Sequence, residues 1–203
     1  MLRNETRPSS NLVFQAAVAA SHILTPVVVA TFYIVTSPLR NASVSWSQAA
    51  VAALFTTIIP WGMLLSARLR GVVSDLHVTQ RQQRHWLYAV TAGSIIAGLL
   101  VLRLMNSGGA IYSEVGSILL GLAVVALINI WWKVSVHLAV GTFVALQFGD
   151  AIPELYPLII CFIALLSWAR IKSNEHTASQ VCGGVFVAVL VYYGSMAIAG
   201  GLS

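Results

Sequence analysis

Long apolar runs separated by short polar stretches make up most of this chain. The runs do not alternate between apolar and polar positions, as residues 118–132 illustrate, so they do not read as strands of a β-barrel. They read as helical spans, each of which needs about 20 mostly apolar residues. The pattern predicts a first span over 11–36, a second over 44–67 with Pro60 inside it, a third over 86–105 and a fourth over 114–132. A fifth follows residues 133–137 and ends near 148, a sixth covers 155–169, and the last covers 181–200. Turn signals separate several of them: Ser37-Pro38-Leu39-Arg40, Asn106-Ser107-Gly108-Gly109 and Gly149-Asp150-Ala151-Ile152-Pro153. The expected fold is therefore all-α, a polytopic transmembrane helical bundle of six or seven spans in one integral-membrane domain over 1–203.

The fifth and sixth segments are short. At 1.5 Å per residue, about 15 residues do not cross a hydrocarbon core about 30 Å thick. Their flanks, residues 133–137 and Arg170 among them, are expected to supply the missing turns. That puts polar groups at membrane depth, where they are costly unless they face a pocket or a partner.

Composition strengthens the membrane reading. Of 203 residues, 58% are hydrophobic and 8% charged, against about 25% charged in soluble domains, and the mean hydropathy is +0.85. The N-terminal run 11–36 is too long for the apolar segment of a signal peptide and reads as a retained span. Cys161 and Cys182 lie in apolar runs and read as reduced packing residues. The net charge of +5 and pI of about 9.6 point to loop asymmetry and anionic ligands rather than nucleic acid.

With seven crossings, Arg3, Arg7, Arg68, Arg70, Arg81, Arg84, Lys133, Arg170 and Lys172 fall on one side, and Arg40 and Arg103 on the other. Setting aside Arg84, Lys133, Arg170 and Lys172 for a substrate leaves the sign of the asymmetry unchanged. The basic side is expected to be cytoplasmic, in a multi-pass protein of a prokaryotic plasma membrane.

That side also gathers the residues suited to chemistry. His137 ends the stretch Lys133-Val134-Ser135-Val136-His137, and His176 lies in Arg170-Ile171-Lys172-Ser173-Asn174-Glu175-His176-Thr177. Two histidines among cations suit phosphoryl transfer. The cations neutralise phosphate oxygens, one imidazole attacks phosphorus, and the other protonates the leaving oxygen. The same residues also suit interfacial anchoring, with cations snorkelling to headgroups. Asp75 fits either a partner for a histidine or a solvated loop acid. His22, inside the first span, reads preferentially as a neutral histidine bonded to a neighbouring helix. Trp86, Trp131, Trp132 and Trp168 sit at span ends as interface anchors.

The last third resembles the type 2 phosphatidic acid phosphatase superfamily of integral-membrane lipid phosphatases. The family's third motif is Ser-Arg, five residues, His, three residues, Asp. Ala169-Arg170, five residues, His176, three residues and Gln180 stand in that spacing, followed by Gly184. Its second motif, Pro-Ser-Gly-His, is similar to Val134-Ser135-Val136-His137, and its first, Lys, six residues, Arg-Pro, is echoed by His77, six residues, Arg84-His85. The resemblance covers a phosphatase-like core over 68–184 and is strongest over 133–184.

The resemblance implies that His176 is the nucleophile and His137 the general acid. It implies phosphate contacts from Arg84, Arg170 and Ser135, with His77 at the lysine position of the first motif. A contact from Lys133, just outside the motif, is an addition from its charge. Gln180 replaces the acid that orients the nucleophile; its carbonyl still accepts a ring N–H but carries no charge. Val136 replaces a glycine. No Gly-rich phosphate loop, His-Glu-x-x-His motif or Cys-based metal site occurs, and neither metal nor cofactor is expected.

The expected activity is metal-independent hydrolysis of a lipid or isoprenoid phosphate or diphosphate through a phosphohistidine. Membrane lipids and that substrate are the expected partners. The alternative is a non-catalytic relative that binds lipid phosphate or assembles with a partner. A small transporter ranks last, because the polar clusters lie at span ends and no internal repeat occurs.

Overall fold

Prolines decide where the first two spans break. A computed structural model describes residues 12–72 and 81–201, with side chains over 12–72 and 85–197. The run predicted as one span over 11–36 is two helices, α1 (Leu12–Ile23) and α2 (Pro26–Val35), bent by 44°. Pro26 has no N–H to continue α1 and disfavours a helical residue before it. Thr25 instead caps α2, its Oγ1 accepting from the Val28 N–H at 3.3 Å. The Ser37-Pro38-Leu39-Arg40 turn forms a short helix, α3 (Ser37–Arg40).

The second span contains α4 (Trp46–Ala53), a π-helical turn (Leu54–Ile58) and α5 (Ile59–Leu69). Ser45 and Gln48 start it with a reciprocal capping box. Pro60 supplies no backbone donor, and the Ile59 N–H bonds Leu54 O, five residues back. That leaves the Phe55 carbonyl without its usual helical donor, and Ser94 Oγ donates to it at 2.6 Å. Gly98 allows this approach, since a Cβ there would lie 2.5 Å from Phe55 Cβ.

The remaining elements are α6 (Arg81–Leu104), α7 (Gly109–Trp131), α8 (Val136–Ala151), a 3₁₀ turn (Pro153–Leu155), α9 (Tyr156–Lys172) and α10 (Ala178–Gly201). No strand occurs among the described residues. Five helical segments there are long and apolar enough to cross a membrane, or six with the bent α1–α2 pair counted as one. The all-α bundle is thus as expected. Helix α6 begins at Arg81 and α7 at Gly109, each earlier than predicted: polar residues 81–85 extend α6, whereas α7 gains the mostly apolar Gly109-Ala110-Ile111-Tyr112-Ser113, with Ile111 buried.

Helix α8 remains short. Its 16 residues span about 24 Å. The flank expected to lengthen it does so only in part: His137 joins its first turn, whereas residues 133–135 are non-helical. Much of α8 is buried, including His137, Leu138, Gly141, Thr142 and Phe143. It packs against α2, α7, α9 and α10, so protein rather than lipid surrounds it. Gly141 faces Leu166 and Phe162 of α9, and Gly184 of α10 faces the start of α8.

At the other end of the bundle, Arg40 pairs with Glu114 at 3.2 Å, both side chains little exposed. The Arg40 guanidinium donates to Tyr33 O at 2.6 Å and lies 4.1 Å from the Tyr33 ring centroid. The two residues fall on the same predicted side of the membrane.

Candidate functional site

The spacing of Arg170 and His176 follows from how α9 ends. Asn174 adopts a left-handed conformation, φ 58°, which asparagine tolerates better than most residues. Its N–H bonds Ile171 O at 3.1 Å, and the His176 N–H returns to Arg170 O at 3.2 Å. The chain folds back on the last turn of α9 and holds His176 close to Arg170. Glu175, between them, places Oε2 3.7 Å from Arg170 Nη2.

The next four residues set the histidine ring. Gln180 Oε1 lies 3.0 Å from His176 Nδ1 and 3.3 Å from the Thr177 backbone nitrogen. The backbone N–H donates only, so the Gln180 atom facing it is the carbonyl oxygen. The same oxygen then accepts from His176 Nδ1–H, and the neutral ring carries its lone pair on Nε2.

The second histidine is brought to this loop by α8 and α10. The Ser135 N–H donates to Gln180 O at 3.2 Å, and Lys133 Nζ donates to Glu175 O at 2.9 Å. Gly184 permits the contact, because a Cβ there would meet Ser135 O at 2.5 Å and Leu138 Cβ at 2.8 Å. His137 follows in the first turn of α8 and is 8% exposed.

His137, Arg170, Glu175 and His176 line one cavity of about 340 Å³, with Tyr88, Thr91, Trp61 and aliphatic residues completing its wall. Arg170 is 3% exposed, so its charge is held in a region poor in water, where electrostatic attraction is strong. Among the described residues of the lining the single carboxylate is Glu175, and it pairs with that guanidinium. This arrangement can bind a tetrahedral oxyanion against a guanidinium with two imidazoles beside it.

Other predicted residues take different places. Ser135 is fully buried, and its Oγ has no hydrogen-bond partner among the described residues. Ser135, Lys133 and Gln180 are absent from the cavity lining and act by holding its walls together. His77 and Asp75 lie outside the described residues, as do the side chains of Arg81 and Arg84. Cys161 and Cys182 are free thiols, but both are exposed on the outer faces of their helices and are not the packing residues that their apolar runs suggest. Trp132 does more than anchor a span end, because its ring packs against Gly183. Among the described residues no group of three His, Cys, Asp or Glu side chains is placed to hold a metal.

Two more residues line this cavity, one of them, Thr25, without a sequence expectation; the other is His22, in the last turn of α1. The Pro26 break ends α1 beside the cavity mouth, where His22 is exposed and Thr25 half-buried, and their meeting with α9 depends on the packing of α1 against it. Comparison with family models, curated proteins and solved structures finds no match.

Proposed function

We propose that this protein is a membrane phosphatase that hydrolyses a lipid or isoprenoid phosphate or diphosphate through a phosphohistidine. The observation that carries the reading is the convergence of His137, His176 and Arg170 on one cavity, with the His176 ring oriented by Gln180. The resemblance to type 2 phosphatidic acid phosphatases supplies the roles. His176 Nε2 attacks phosphorus, and Arg170 neutralises the charge on the phosphoryl oxygens. His137 delivers a proton to the leaving oxygen. In the second step His137 takes a proton from water, whose oxygen attacks phosphorus and releases His176 and inorganic phosphate.

The residues implied by the family and not described structurally, Arg84 and His77, belong to the proposal as further phosphate contacts. The excess of basic residues supports a cytoplasmic site, and the proposal places the protein in a prokaryotic plasma membrane. A second reading, binding without turnover, is favoured by two features: Gln180 brings no charge to His176, and Glu175 competes for Arg170.

Phosphate release by purified protein from phosphatidate and prenyl diphosphates, with EDTA present, separates the two. Turnover lost in His176→Ala supports hydrolysis. Tight lipid-phosphate binding without any turnover supports the second reading.

A further inference from the structure

We infer that the protein takes a lipid with one hydrocarbon chain and houses that chain in an apolar chamber at the centre of the bundle. The inference rests on the proposed lipid-phosphate site. The chamber, about 190 Å³, is bounded by α2, the π turn with α5, α6, α7, α8 and α10. Pro26, Val27, Trp61, Leu64, Leu122 and Val136 line both it and the cavity holding His137, Arg170 and His176. The two spaces therefore share a wall, charged and polar at the α9 end and mostly apolar beyond it, where Thr56, Thr57 and Ser117 are the polar exceptions outside the shared wall.

Small residues create the room. Ala30, Gly121, Ala139 and Ala188 face the chamber from four different helices. A Cβ on Gly121 would meet Val191 only at an ordinary 3.6 Å, so close helix contact does not by itself require glycine there. The lining of α6 runs from Leu87 to Ile95 and that of α8 from Val136 to Val144, about 12 Å along each axis at 1.5 Å per residue. A chain entering beside the headgroup therefore extends away from it along the bundle. Enclosed apolar cavities of about 150 Å³ take up small hydrocarbons, and this partly open space offers about 190 Å³. At about 190 Å³ over about 12 Å of length, the chamber has room for one chain in line with the headgroup, so a diacyl lipid leaves its second chain outside.

The test uses the full-length protein in nanodiscs and a single-chain alkylphosphonate with a photoreactive diazirine at the chain end. The phosphonate is not hydrolysed, so labelling is independent of turnover. The inference predicts crosslinks to chamber residues Ile95, Phe143 or Val144, suppressed by excess unlabelled alkylphosphonate. Crosslinks confined to outward-facing residues such as Ile96, Leu100 or Phe32, or no suppressible crosslink, overturn it. Gly121→Leu and Ala188→Leu narrow the chamber from two sides. Each is expected to lower chamber labelling at least tenfold relative to binding of ethylphosphonate by the same preparation, and an unchanged ratio in both contradicts the assignment. Parallel phosphate release from the matching alkyl phosphate reads the hydrolase proposal separately: chamber labelling without release leaves the chamber standing and removes the hydrolase.

Discussion

Gln180 Oε1 stands 3.0 Å from His176 Nδ1, one helical turn apart on the chain, and the Thr177 backbone N–H fixes which amide atom faces the ring. A neutral side chain thus sets the tautomer, without adding negative charge, at the position that a carboxylate holds in the motif this stretch resembles.

That relationship separates orientation from charge. Gln180→Leu removes the acceptor and is expected to lower kcat about a hundredfold, the usual scale for a misplaced reacting group, with KM little changed. Gln180→Asp keeps an acceptor and adds charge that stabilises the imidazolium, so kcat is expected to meet or exceed the native value. Steady-state phosphate release checks both.

His22 reaches the site from the far end of the chain. His22→Ala removes a cavity-lining imidazole and is expected to raise KM about tenfold, equivalent to roughly 1.4 kcal/mol, with a smaller change in kcat. A Kd for a non-hydrolysable phosphonate that is unchanged in the variant excludes the contact.

Gly184 is a close-approach glycine, whereas a Cβ on Gly62 meets nothing within 4 Å. Gly184→Val is expected to destabilise the fold by about 1–3 kcal/mol through overpacking, while Gly62→Ala leaves the unfolding midpoint unchanged or higher through better helix propensity. Thermal unfolding in detergent compares them. Because Gly184 abuts Ser135, the surviving folded fraction of Gly184→Val is also expected to lose activity.

The Arg40–Glu114 pair lies at the opposite end from the cavity and tests stability apart from chemistry. Removing one partner leaves a little-exposed charge without its ion-pair partner, at a cost of about 3–5 kcal/mol. Arg40→Met is expected to lower the unfolding midpoint more than Arg40→Met combined with Glu114→Gln. Folded double variant retains native kcat.

Much of this architecture can be read from hydropathy, because a lipid-facing helix must be apolar over most of its length. Patterning starts α6 and α7 too late: polar residues 81–85 continue α6 beyond its apolar run, and the glycines at 108–109 read as a turn although Gly109 already opens α7. It missed the α1–α2 bend, although Thr25-Pro26 is a cap followed by a residue that cannot extend the preceding helix. The π turn before Pro60 is set jointly by the missing proline donor and by Ser94 on another helix, and no local pattern contains that second half. Arg170 and His176 were readable as a pair because a tight turn at Asn174 joins them. His22 was not, because its place depends on packing between elements more than a hundred residues apart.

The claim on which the rest depends is that His176 bonds to phosphorus. Rapid acid-free quenching of purified protein mixed with a ³²P-labelled prenyl or acyl phosphate, followed by peptide mapping, tests it directly. The account predicts acid-labile, base-stable label on the peptide containing His176, absent in His176→Ala and retained longer in His137→Ala. Phosphate release with label on a different residue, or undiminished release in His176→Ala, contradicts it.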